Sequence, residues 1–205
     1  MSEPGNPEKG EDQLEQELHE FSETFSEGQL ARITESEIPE DVRQRFERRS
    51  QLFIRRQDYR PGNFEGFFAV QHTNGDRTYL ACQTKTYDTG DTESLTYFVD
   101  TRDGQDIGHS ELRFNVSNPA DYFKQKPFVG YTHTEEAFRR QGLGLRRLEE
   151  MNAFTQAHFH LPLYSDTLNA EEGLWEDLVA QGRARKFKEG RKLRYAFLPR
   201  PNDQR

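Results

Sequence analysis

Between residues 66 and 116 the chain settles into a two-residue period punctuated by turn formers, and no other feature constrains its fold as strongly. Gly66 to Thr73 and Arg77 to Tyr87 read as strands joined by Asn74-Gly75-Asp76. Leu95 to Asp100 leads through Asp103-Gly104-Gln105 into Ile107 to Val116, again rich in β-branched and aromatic side chains. Asn-Gly matches a tight hairpin, because both residues accept the positive φ such turns demand. Successive hairpins set neighbouring strands antiparallel, so antiparallel strands dominate the middle of the chain.

The flanks read differently. From about Asp12 to Phe25, Leu14, Leu18, Phe21 and Phe25 recur at spacings of four, three and four, which aligns them on one face of a helix. That face requires cover, either in the core or from a second copy of the chain or another partner. A short strand fits Gln29 to Ser36, and Ile38-Pro39 places Pro in the first turn of a helix at about 39 to 53 that carries Val42 and Phe46. After the hairpins, strand and helix alternate: Pro127 to Thr134 as a strand, Gly142 to Phe159 as a helix and Leu161 to Ser165 as a strand. A helix from Asn169 to Gln181 follows, with Asn169 as its cap, Glu172 at N3 and Gly182 at its end. Arg183 to Lys188 and Leu193 to Leu198 close the chain as a hairpin around Glu189-Gly190. Within the 142–159 helix, Leu145, Leu148, Met151 and Phe154 read as core, and Arg146 and Arg147 as facing solvent or a ligand phosphate.

A chain of 205 residues with 32% hydrophobic and 31% charged residues has room for one domain and one core. Its mean hydropathy is −1.04, yet sixteen Phe and eight Tyr argue against wholesale disorder. No run of about 18 apolar residues exists, and Met1 to Gly10 is polar and acidic, so neither a membrane span nor a secretory leader is expected. Cys82 is the single cysteine, which removes intrachain disulfides and multi-cysteine metal sites and fits a soluble, cytoplasmic protein. The net charge of −8 is uneven: residues 1–41 hold 13 acidic and two basic side chains, whereas Gly182 to Arg205 holds nine Lys or Arg against Glu189 and Asp203. Residues 1–10 read as a disordered acidic tail, 11–198 as one domain and 199–205 as a C-terminal tail. The domain divides into N-terminal helices (11–53), a strand-rich half (64–116) and a second half (126–198).

Arg139-Arg140-Gln141-Gly142-Leu143-Gly144 lies after a strand and opens a helix. Glycines there allow a tight turn, and the first helical turn offers unsatisfied N–H donors at the positive end of the macrodipole, which together suit a phosphate or pyrophosphate. A Rossmann reading lacks its third glycine, since Arg147 stands there, and no Gly-Lys-Ser or Gly-Lys-Thr occurs. Arg-x-x-Gly-x-Gly at this junction, followed by a strand, an Asn-started helix and a final hairpin, resembles the GNAT superfamily of N-acetyltransferases over residues 94–198.

The resemblance implies a GNAT-like α+β fold: a mixed, mostly antiparallel central sheet flanked by helices, here with an N-terminal helical extension. It implies acetyl-CoA as acyl donor, its pyrophosphate held by Arg139, Arg140, Gln141, Gly142, Leu143, Gly144 and Leu145, with Thr132, Thr134 and Asn169 as further contacts. The strand ending at Thr134 would splay from Leu161 to Ser165 to admit the pantetheine arm. A primary amine would then attack the thioester directly, with a backbone N–H of the Phe128 to Thr134 strand stabilising the oxyanion and no role for Cys82. Deprotonating a lysine-like amine at pH 7 costs about 4–5 kcal/mol, so a base is needed, and Glu135, Glu136 and His133 are the candidates.

Many family members carry a Tyr acid in the last helix. Here Trp175 stands in that region, which leaves Tyr131 and Tyr164 as acids. The alternative is a GNAT-fold module that binds coenzyme A or a protein without turnover. The basic C-terminal hairpin lacks a recognisable nucleic-acid motif, and His158 with His160, at i and i+2 of a presumed strand, makes a poor zinc pair, so neither nucleic acid nor metal is expected. The acidity of the chain hints at cationic amines.

Overall fold

The computed structural model describes residues 28–51, 59–60, 64–87, 92–115, 126–165, 172–189 and 192–198. The expected tail at 1–10, the helix at 12–25 with its Leu14, Leu18, Phe21 and Phe25 face, Asn169 and the tail at 199–205 lie outside the described residues. The fold is α+β. Strands β1 (Gly28–Ile33), β2 (Tyr59–Arg60), β3 (Phe64–His72), β4 (Arg77–Tyr87), β5 (Thr92–Arg102), β6 (Gln105–Asn115) and β7 (Phe128–Thr134) form one antiparallel sheet in the order β1-β3-β4-β5-β6-β7, with β2 paired to β4. Helix α1 (Glu40–Gln51) lies between β1 and β2, α2 (Leu143–Phe159) follows β7, and α3 (Glu172–Ala180) precedes a separate hairpin of β8 (Ala184–Glu189) and β9 (Lys192–Phe197).

Two-residue alternation sends successive side chains to opposite faces of the sheet. On one face Tyr79, Ala81, Leu95, Tyr97 and Val99 pack against Ile38, Val42 and Phe46 of the α1 region. On the other, Phe68, Val70, Leu80, Phe98, Leu112 and Val129 meet Leu148, Met151 and Phe154 of α2, and Trp175 and Leu178 of α3 continue that core. Cover on both faces explains why β5 is buried along most of its length. Phe46, at 0% exposure, contributes about 1.5–3 kcal/mol by its burial.

The two turns differ. Asp103 and Gly104 both have positive φ, 51° and 78°, and close a two-residue hairpin between the paired Arg102 and Gln105. Asn74-Gly75 sits in a wider connection of four residues, because Asp76 is drawn underneath and fully buried, where its carboxylate accepts hydrogen bonds from Arg102 (2.7 Å) and Arg146 (2.7 Å). The Gln29 to Ser36 strand ends at Ile33 and gives way to a 3-10 turn over Glu35–Glu37, closed by Thr34 and Glu37 hydrogen-bonding each other.

The expected strand at Leu161 to Ser165 is reduced to a bridge at Tyr164, which pairs parallel with Phe128 and antiparallel with Ala196. Tyr164 N donates to Pro127 O (2.9 Å) and Val129 N to Tyr164 O (3.1 Å), so this residue ties the β8–β9 hairpin to the main sheet. His158 and His160 lie on no strand: His158 is in the last turn of α2, its ring 4.1 Å from that of Phe154, and His160 caps the helix with φ 53°. No helix among the described residues is long and apolar enough to cross a membrane.

Candidate functional site

The junction between β7 and α2 is built from unusual backbone. After Thr134 the chain makes a 3-10 turn over Glu136–Phe138, Arg140 has φ 63°, Gly142 has φ 79°, and α2 starts at Leu143. No side chain caps this helix, so the N–H groups of its first turn are not satisfied by a capping side chain. The two motif glycines do different work. A Cβ on Gly142 would meet nothing within 4 Å, and its left-handed φ is what requires glycine. A Cβ on Gly144 would lie 2.9 Å from Leu174 Cδ1, so Gly144 permits the close approach of α3.

Arg139, Arg140, Gln141 and Gly142 are exposed, Leu143 is buried and Leu145 half-buried. Arg139 Nε donates to Thr134 O (3.2 Å), and Gln141 accepts from Arg102 (2.9 Å). Arg146 and Arg147 do not face solvent. Arg147 is 0% exposed, with its Nε on Asp100 and its Nη1 on His133 O (2.7 Å) and Thr134 Oγ1 (2.9 Å). Arg146 reaches Asp76, Asp100 and Glu150. The buried carboxylates of Asp76 and Asp100 draw both guanidiniums inward, an effect that helix periodicity alone does not reveal.

Among the described residues, β7 has an open outer edge beyond Val129. Glu135 N donates to Ile107 O (3.2 Å), and by the antiparallel alternation the N–H groups of Thr132 and Thr134 point away from β6. On this outer side the described hydrogen bonds to a neighbouring segment stop at Val129 and Tyr164. The β6–β7 register shifts between Glu111 and Leu112, so Gly130 is an inserted bulge residue. A Cβ on Gly130 would lie 2.7 Å from Arg113 Nε, so the Arg113 side chain covers the bulge.

Of the candidate acid–base residues, the structure brings His133, Glu135 and Tyr131 together. His133 Nε2 lies 3.5 Å from Glu135 Oε1, and the rings of Tyr131 and His133 are 6.5 Å apart and nearly parallel. Glu136 is exposed in the 3-10 turn. Tyr164 stands apart, its ring edge-on to Phe187 (6.2 Å) and 5.5 Å from Lys126 Nζ. Trp175 is 1% exposed, packed between Tyr195 and Phe197, and serves the core. Burial pushes the Cys82 thiol up to about 12, which keeps it protonated and unreactive.

Tyr131 and His133 also line a cleft of about 640 Å³ against α1, with Arg45, Arg48, Arg49, Gln51 and His109. The Arg49 guanidinium lies 4.0 Å from the Tyr131 ring centre, and the Tyr131 and His133 rings are 5.5 and 5.2 Å from that of His109. Sequence reasoning missed this wall. Arg45, Arg48 and Arg49 stand at i, i+3 and i+4, a same-face spacing that was available as a signal.

No family model matches this chain, and no curated protein matches it. Among solved structures it is similar to a crystal structure of an acyl-CoA N-acyltransferase from Pseudomonas aeruginosa, with 18% identity and a TM-score of 0.32. The match covers 50% of this chain and 66% of that one.

Proposed function

We propose that this protein is an acyl-CoA-dependent N-acyltransferase of GNAT type that transfers acetyl from acetyl-CoA to a primary amine in a ternary complex. The observation that carries this reading is the β7–α2 junction: a strand edge open among the described residues leads through a 3-10 turn to a helix N-terminus whose Gly142 is exposed and whose donors lack a side-chain cap. A pyrophosphate suits the first turn of α2, flanked by Arg139 and Arg140. An extended pantetheine arm suits the outer edge at Thr132 and Thr134, where main-chain groups can pair with its amides as a strand would.

In this reading the amine nitrogen attacks the thioester carbonyl, an outer-edge N–H of β7 stabilises the oxyanion, and the C–S bond breaks to release coenzyme A thiolate. The adjacent His133 and Glu135 take the proton from the amine, directly or through water. Tyr131 stands beside them as the proton source for the thiolate; Tyr164, on the far side of the Phe128 bridge, is the second candidate.

Calorimetric titration with acetyl-CoA tests the coenzyme site, with micromolar, near-stoichiometric binding expected. Absence of heat at several temperatures would remove this function. A non-catalytic coenzyme-binding module is the second reading, favoured by the burial of Trp175 where an acid is usually sought. Sustained release of free thiol, stimulated by any member of an amine panel, excludes it.

A further inference from the structure

The α1 cleft collects positive charge without balancing it. Arg45 is paired with Asp106, but among the described residues neither Arg48 nor Arg49 has a carboxylate partner. Arg48 donates only to Gln44 (3.2 Å), and Arg49 meets a ring nitrogen and a ring face. Asp106 is engaged by Arg45, and Glu135 lies against His133.

His109 reports the same field. It is 6% exposed, and since a guanidinium can only donate, the 2.8 Å contact from Arg49 Nη2 makes Nε2 the acceptor and leaves the proton on Nδ1. That Nδ1 has no hydrogen-bond partner among the described residues. Burial first, then the charges of Arg49 and Arg45, push the imidazole down to about 3, so it stays neutral at physiological pH.

Two unbalanced guanidiniums and a buried neutral imidazole beside an exposed aromatic ring suit an oxyanion. Planar forks favour bidentate pairing with carboxylate or phosphate, and Tyr131 offers a face for an adjoining apolar or planar part. The placement is also specific. Tyr131 and His133 point from β7 into the cleft, whereas the alternating Thr132 and Thr134 present their N–H groups along the outer edge of the same strand. A molecule anchored in the cleft therefore stands next to the strand along which the thioester would lie.

We propose that the cleft binds a carboxylate or phosphate group of the acceptor, so that the acceptor is a small amine carrying an oxyanion. The substrate class rests on the acyltransferase reading, while the anion site stands independently of it. This reverses the preference for cationic amines that the acidity of the chain suggests, since local charge rather than net charge decides what a cleft attracts.

The test uses the full chain and inorganic phosphate or acetate as probe, followed through the histidine ring signals by NMR. Saturable shifts at His109 and His133 are expected, with at least tenfold weaker binding in Arg49→Gln and in Arg48→Gln and partial recovery in Arg49→Lys. Unchanged binding in both glutamine variants, or no binding at all, overturns the site. An acylation panel then compares amines bearing carboxylate, phosphate or neither. A tenfold or greater kcat/KM advantage for one anionic class, lost in Arg49→Gln, supports the proposal and tells carboxylate from phosphate. Equal turnover of neutral amines overturns the substrate class while leaving acyltransfer intact. Competition between coenzyme A and inorganic phosphate for the cleft would assign it to the donor and overturn the acceptor role. If no amine in the panel stimulates thiol release while the phosphate shifts remain, the acyltransferase function is removed and the anion site is retained.

Discussion

Guanidiniums cluster on both faces of the sheet, and the two clusters are treated in opposite ways. Under α2, Arg146 and Arg147 meet Asp76, Asp100 and Glu150 in a buried network that Arg102 joins from the β5–β6 turn. Against α1, Arg48 and Arg49 stand at the rim of a cleft with no described carboxylate to answer them. Taking a charge out of water costs several kcal/mol unless a partner compensates, so the first cluster is matched internally. In the second, Arg48 is exposed and Arg49 half-buried, so their charges stay within reach of solvent and of a ligand. Internal compensation accords with a structural role for the first cluster, and its absence in the second is what the proposed anion site rests on.

The contrast is most directly broken at Asp100. Asp100→Ala removes the carboxylate paired directly with Arg147, which is 0% exposed, and a loss of about 3–5 kcal/mol is expected in a urea unfolding curve. A loss under 1 kcal/mol would mean that water enters the network, and the contrast with the cleft would vanish.

Gly108→Ala tests the same network through packing. The new Cβ would lie 2.0 Å from Arg147 Nη2 and 2.5 Å from His133 O, a backbone atom with little freedom to move. A cost of about 1–3 kcal/mol follows from overpacking, read as a lowered unfolding midpoint. Displacement of Arg147 would also disturb His133, so the histidine signals should shift in this variant even at full folding.

Glu150 sharpens the comparison through pH. Burial first, then the nearby Asp100, raises its carboxyl well above the usual range against the pull of Arg146 and Arg147. Folding then favours the protonated form, so its contribution is fully present below the unfolded value of about 4.3 and is lost as pH rises through the folded pKa. Glu150→Gln removes that loss. Relative to the parent it should gain stability steadily from pH 4 toward neutrality, and a gain that shrinks over this range would contradict the assignment. Asp76 has the opposite sign. Burial opposes its charge, but hydrogen bonds from Arg102 and Arg146 outweigh it and hold the carboxyl well below the ordinary range, so its contribution is lost as pH falls below about 4.

The smallest effect is expected in the cleft. Arg48→Gln should change stability by no more than about 0.5 kcal/mol, because no buried charge loses its partner. A larger loss would show that the α1 arginines are structural after all.

Much of the fold was legible because local chemistry dictated it. Asp103-Gly104 could hardly be anything except a tight turn, and the 77–87 run was bounded by turn formers on both sides. The helix at Gly142 was marked by glycines, one of which the left-handed backbone demands. Tyr164 was harder, since a five-residue strand-like run carries no record of how many rungs of a ladder it will form. The arginines at 146 and 147 were misread because their partners Asp76 and Asp100 are distant in sequence. The α1 wall escaped for a related reason: Arg49 acquires meaning only beside His109, sixty positions away.

The sequence by itself determined the antiparallel meander, the positions of the turns and the glycine-headed helix, because backbone conformational limits and two-residue periodicity act between near neighbours. Only the tertiary structure decided which charges are answered and which are left open. Charge compensation is a property of distance in space, and the pairs that settle it here, Arg147 with Asp100 and Arg49 with His109, meet only once the sheet has brought its strands together.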